Sequence, residues 1–189
     1  MTARSEKATR DMTRRLVALH TECTPAELAQ GLAWYGRARA AAEGIAGEGG
    51  LARAAAVIAH LSPRQTWAAN VASAARMLAA ADAHEPCPAV STGAQRSKAW
   101  AVATGAADPA VKHGPKTGAF YRNIVGDMDA VCVDRWAARA ATGDAAIISF
   151  GRARYARIER AYQRAARALG MSPRDLQAAV WVHTRGAAD

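Results

Sequence analysis

The chain has 189 residues, with 25 Lys and Arg against 16 Asp and Glu, a net charge of +9 and a sequence pI near 10.2. That length makes one folding domain with a core large enough to need no staples, and the basic balance points to polyanions such as DNA as partners. Cys23, Cys87 and Cys132 lie far apart with no C-x-x-C spacing and no histidines at ligand spacing, which argues against a disulfide framework, a zinc knuckle or an iron–sulfur cluster.

No apolar run approaches the roughly 18 residues of a membrane span, and the N-terminus lacks the apolar stretch of a secretory signal. The expectation is a cytoplasmic monomer that uses no metal or cofactor and meets no membrane.

In chain order, residues 8–20 suit a short basic helix. Thr24-Pro25-Ala26-Glu27 is a capping box with proline at the first helical position, so a helix runs from there to about Gly44. Its apolar face uses Leu28, Leu32, Trp34 and Tyr35, and Gly31 and Gly36 mark weak points or close helix packing. Leu51–Leu61 is the next helix, with Leu51, Ala55, Ile58 and Ala59 at helical spacing. Ser62-Pro63 ends it and caps a helix to about Ala83, with Val71, Ala74, Met77 and Leu78 inward.

Residues 85–90 connect, and Ser91 or Thr92 caps a helix through Trp100 to Val102 that Gly105 to Pro109 breaks. A hairpin, a helix over 116–125, a turn at Gly126-Asp127, an extended piece over 130–133 and a helix from Asp134 to about Ala141 follow. Residues 144–151 form a loop or short helix. Helices over 152–169 and, after the Ser172-Pro173 cap, 173–185 complete an all-α chain, since no alternation is long enough for a sheet.

Two features carry chemistry. In the helix over 152–169, Arg157, Arg160, Arg164 and Arg167 recur along one face while Ile158, Tyr162, Ala165 and Leu169 line another, a basic rail that only Glu159 offsets. Rails of this kind are either solvated faces or phosphate contacts. In the segment 113–134, His113-Gly114-Pro115-Lys116-Thr117 leads into a helix N-terminus that suits an anion, and Asp134 is placed as the N-cap of the next helix, where a carboxylate stays ionised. Each has a plain structural reading as a helix cap.

These residues resemble the helix-hairpin-helix DNA glycosylases of base-excision repair, whose signature is a hairpin ending in Gly-x-Lys-Thr, a helix, and then Val-Asp before His- or Trp-like residues. Gly114-Pro115-Lys116-Thr117 is similar to the first part, and Val133-Asp134-Arg135-Trp136-Ala137 with Arg139 to the second. The interval from Lys116 to Asp134 resembles that of the endonuclease III branch. Leu61-Ser62-Pro63-Arg64-Gln65-Thr66-Trp67 with Asn70-Val71 is similar to another family helix start, with Gln shifted by one and the Asn-Val order reversed. The hairpin, Val111 to Lys116, is abbreviated, and the four-cysteine cluster of some branches is absent.

The resemblance implies a two-lobed all-α fold with a DNA cleft between the lobes, one lobe from about 1–60 with 150–189 and the other, carrying the hairpin, from about 61–149. It implies an enzyme that flips a base out of DNA, a DNA N-glycosylase or glycosylase/lyase. Asp134 would stabilise positive charge at the sugar and orient the nucleophile; Lys116 would attack the sugar carbon as an amine if burial and neighbouring cations depress its pKa. Ser62, Arg64, Gln65, Thr66, Trp67 and Asn70 would line the opposite wall. His113, Gly114 and Thr117 would hold phosphate, with Tyr121, Asn123, Arg135, Trp136, Arg157, Arg160 and Arg164 as further DNA contacts. His183 would reach the cleft from the last helix, although a satisfied or surface histidine is its plainer reading, as a core position is for Trp181.

Bacteriophage enzymes that hypermodify thymine in DNA resemble the same fold, which gives a second enzymatic reading. A helical DNA-binding protein without chemistry is the third.

Overall fold

A computed structural model describes residues 3–47, 50–90, 93–110 and 113–186. Among them there are nine helices and no strand: α1 (Ala3–Glu22), α2 (Pro25–Gly44), α3 (Gly50–Leu61), α4 (Trp67–Asp82), α5 (Gly93–Ala103), α6 (Pro115–Val125), α7 (Arg135–Thr142), α8 (Arg152–Leu169) and α9 (Pro173–Arg185). The fold class is all-α, as the missing alternation requires. Ser91 and Thr92, the expected caps of α5, and Val111 and Lys112 of the hairpin lie outside the described residues.

Among the described residues the chain divides into two compact units, the first comprising residues 3–35 and 127–186, the second running from Gly36 to Gly126. The segment after Gly126, which the resemblance groups with the hairpin, packs with the terminal helices. Its apolar residues explain this, because Val131, Val133, Ala137, Ala138 and Ala141 share one buried cluster with Leu16, Ile158, Tyr162, Leu176 and Val180. Residues 50–61, which it groups with the termini, are the centre of the second unit.

In the first unit α1 packs on α7, α8 and α9. It begins at Ala3, five residues before the expected start. The extra turn docks, since Glu6 pairs with Arg164 of α8. The Thr24 capping box is present: Glu27 N–H donates to Thr24 Oγ1 at 3.2 Å, and Thr24 N–H donates to Glu27 Oε2 at 2.7 Å. Leu32 faces out, 51% exposed, while Tyr35 is buried and donates through its hydroxyl to Gln177 Oε1 at 3.0 Å. Gly31 marks a close crossing of α2 and α9, because a Cβ built there would collide with Ala179 Cα and lie 2.7 Å from Ala179 N.

In the second unit α3 is buried on every side from Ala54 to Leu61 and packs on α4, α5 and α6. Such a continuous apolar run suits a central helix, each large side chain adding about 1.5–3 kcal/mol by leaving water. Arg53 ties α3 to its neighbours by donating to Ala103 O at 2.8 Å and pairing with Asp82 at 2.6 Å.

The expected cap Ser62 does not start α4. Its hydroxyl donates back to Ala59 O, Gln65 Nε2 donates to Leu61 O, and Arg64 takes a left-handed φ of +64°. The end of α3 needs those residues for itself, so the cap passes to Thr66, whose Oγ1 accepts from Ala69 N–H. Residues 144–151 are a loop without a helical turn.

Candidate functional site

Asp134 is the N-cap of α7, as its position after Val133 suggests. One carboxylate oxygen accepts from Ala137 N–H at 2.8 Å and the other from the Trp181 indole N–H at 3.1 Å. A carboxylate offers about four acceptor positions, so two directions remain for a substrate or water. The backbone on either side is held by α8. Tyr155 donates through its hydroxyl to Val131 O at 2.7 Å and accepts from Val133 N–H at 3.2 Å, and Tyr162 donates to Ala137 O at 3.2 Å. Burial first, then the Asp134 charge, raises the Tyr162 phenol well above its ordinary pKa, so it stays a neutral donor.

Trp181, expected in the core, is half-buried and serves Asp134; Arg185 lies 4.7 Å over its ring and Trp34 6.2 Å from it. Periodicity could not show this bond, which joins residues of different helices.

The next turn of α7 is cationic and aromatic. Trp136 carries Arg139 at 4.8 Å and Arg135 at 5.6 Å from its ring centroid. Trp136 and Arg139 line a cavity of about 320 Å³ with Arg15, Leu19, His183 and Thr184. Arg15 donates through Nε to Ala140 O at 2.9 Å and Arg139 through Nε to Ile147 O at 3.1 Å. Neither forms an ion pair among the described residues, so two guanidinium groups stand on one wall with their outer N–H groups available to an anion. Gly143 allows this: its φ is +73° and a Cβ there would meet Arg15 Cζ at 3.2 Å. Arg15 and Arg139 are not among the expected DNA contacts.

The arginine rail is only partly a free face. Arg164 pairs with Glu6, whose acid this partner holds below the ordinary value, so an acid from α1 offsets the rail in addition to Glu159. Arg157 and Arg160 are half-buried, and each has a buried Nε without a hydrogen-bond partner. His183 is the satisfied histidine of the plainer reading, with Nδ1 at 3.2 Å from Glu27 Oε2, and it also lines the cavity.

The second unit holds the hairpin residues. Gly114 caps α6 with no side chain to fill its N-terminal amides, and Gly114, Pro115 and Lys116 are exposed. Behind the turn, His113 Nε2 bonds Pro109 O, which makes Nδ1 the acceptor for His60 Nε2–H at 3.1 Å. The His113 ring lies 5.3 Å from that of Tyr121, whose phenol burial pushes up.

Of the other expected contacts, Arg64 and Thr66 are exposed and Ser62, Gln65 and Trp67 are half-buried, while three are interior: Asn70 is 2% exposed, Asn123 fully buried and Tyr121 9% exposed. Asn70 donates to Ile58 O at 3.2 Å and Gln65 accepts from Ser73 at 3.1 Å. These amides lock α3 to α4, because a buried polar side chain must find a local partner.

His60 gives a stability signal. Burial, and then the nearby His113, lower its pKa below the ordinary 6.5. The folded protein therefore resists a proton that the unfolded chain accepts, so stability is full above about pH 6.5 and is lost as pH falls toward the lower folded value, by at most about 1.4 kcal/mol per pH unit. Thermal melts between pH 7.5 and 5 should show this fall in the parent chain and a shallower one in His60→Gln.

An all-helical protein of two compact units, with a doubly held carboxylate and a cationic aromatic cavity in the first of them, is the class that fold and site define. The chain belongs to a family of unknown function, DUF7178, which matches residues 1–188. No curated protein and no solved structure matches it.

Proposed function

We propose that this protein acts on bases in DNA, as an N-glycosylase that flips a modified or damaged base out of the duplex. The observation that carries the reading is Asp134, a carboxylate fixed on both oxygens by an α7 amide and an indole, with acceptor directions left over. As the glycosidic bond breaks, positive charge develops on the sugar ring, and a fixed carboxylate stabilises it without reorganising. Water then adds to the sugar carbon and the base leaves with a proton.

The Trp136–Arg139–Arg15 cavity supports the same reading, since guanidinium groups and an indole suit a phosphate and an unstacked base. The two-lobed arrangement with a cleft for DNA belongs to the proposal, with the Gly114-Pro115-Lys116 turn as a phosphate contact. Water is the nucleophile in this reading, and borohydride trapping would show a Lys116 adduct if the amine attacks instead. A second reading, group transfer to a hypermodified thymine, stands beside it, because neither the cavity nor Asp134 is specific to excision.

The test is incubation with a panel of oligonucleotides carrying modified bases, read by mass spectrometry. Loss of one base supports excision, added mass on a base supports transfer, and unchanged DNA leaves a binding protein. Binding should weaken steeply with salt as phosphate contacts release counterions, by about a hundredfold or more between 50 and 200 mM. A flat salt response would remove DNA from the reading altogether.

A further inference from the structure

We infer that Cys23, Glu27 and His183 form a binding site for a zinc ion. The three come from the junction of α1 and α2, the first turn of α2 and the last turn of α9, all within the first unit. Their ligand atoms lie within 4.8 Å of one another. His183 Nδ1 and Glu27 Oε2 are 3.2 Å apart. Two ligands at the corners of a tetrahedron with bonds of about 2.0 Å to zinc are about 3.3 Å apart, so this pair already has the required edge. Sulfur, with a bond of about 2.3 Å, belongs about 3.5 Å from each, an approach of at most about 1.3 Å from the 4.8 Å limit.

The surroundings fit a cation better than an ordinary ion pair. In a chain with 25 Lys and Arg against 16 acids, Glu22 and Glu27 gather beside the thiol with His183 as their only ion-pair partner among the described residues. The Cys23 thiol itself is buried. A divalent ion supplies the balancing positive charge. It displaces the thiol proton to solvent, is neutralised by one thiolate and one carboxylate, and involves no redox change.

The outer groups are in place. With Nδ1 on the metal, His183 turns Nε2–H toward Glu22 Oε2, 3.9 Å away, and Thr24 donates to Glu27 Oε2 through N–H at 2.7 Å and through its hydroxyl at 3.0 Å. Thiolate with imidazole selects zinc over magnesium or calcium, and the fourth position falls to water. Spacing along the sequence hides the set because His183 is 156 residues from Glu27.

The full chain, stripped with chelator and desalted, is titrated with zinc and separately with cobalt(II), and bound metal is measured after desalting. One ion per chain, a sulfur-to-cobalt charge-transfer absorption and a higher melting temperature with zinc are expected. Cys23→Ser should abolish the absorption and weaken zinc binding by at least about tenfold, and Cys87→Ser and Cys132→Ser should keep both. His183→Gln, at a partly exposed position, should also lose binding while its circular dichroism stays that of the parent. Absence of stoichiometric metal, or an absorption that survives Cys23→Ser, would overturn the site and leave a capping box with an ion pair.

Discussion

Asp134→Asn is expected to slow base release or base transfer by about a hundredfold or more while DNA affinity stays within a few-fold. Asparagine is as good an N-cap as aspartate, so α7 keeps its start. What changes is the charge and one acceptor: the substituted amide has one carbonyl oxygen for two donors, Ala137 N–H and Trp181 Nε1–H. Stability should fall by about 1 kcal/mol, the usual value of one such hydrogen bond. Single-turnover rates, binding isotherms and melts on the same preparations separate these effects. Normal turnover in the variant would reduce Asp134 to a helix cap.

Gly31→Ala carries the largest expected loss of stability. The added Cβ would run into Ala179 Cα and lie 2.7 Å from Ala179 N, and backbone cannot rotate aside, so α2 and α9 must separate. A cost of about 3 kcal/mol follows, at the upper end of overpacking, with a fall in Tm of about 6–12 °C. Gly36→Ala, on the same helix with nothing within 4 Å of its Cβ position, is the control. It should stabilise by about 0.5–1 kcal/mol through helix propensity alone. Equal melting temperatures for the two variants would mean that the helices do not cross this closely.

The same crossing shows how much is legible in the sequence. Helices bounded by local chemistry are readable, as at Thr24-Pro25 and Ser172-Pro173, where cap and proline act on their own turn. Gly31 can be flagged but not resolved, because only the opposite helix distinguishes a weak helix position from a contact. Ser62-Pro63 misleads, since the terminal carbonyls of α3 claim the residues that would cap α4. Leu32 faces out although its spacing suits the apolar face, because α9 approaches α2 at Gly31.

The candidate site divides the same way. Asp134 as an N-cap is readable from Val-Asp before a helix. Its bond to Trp181, the Arg15–Arg139 wall and the convergence on His183 are not, since each joins segments far apart in the chain and depends on how helices pack. Asn70 resembles a DNA contact through its neighbours in sequence and instead braces α3, because polarity alone does not distinguish a binding side chain from a buried strut.

Tyr155 and Tyr162 stand two turns apart on α8, about 10 Å along its axis. Between them they grip Val131, Val133 and Ala137 through main-chain atoms, the stretch in which Asp134 sits. A jig of this kind is indifferent to which side chains it clamps. The outward neighbours of Asp134, Arg135 and Trp136, can therefore change character over evolution, altering what the protein meets, while the carboxylate stays where two phenols put it; the constraint on Asp134 is written in another helix.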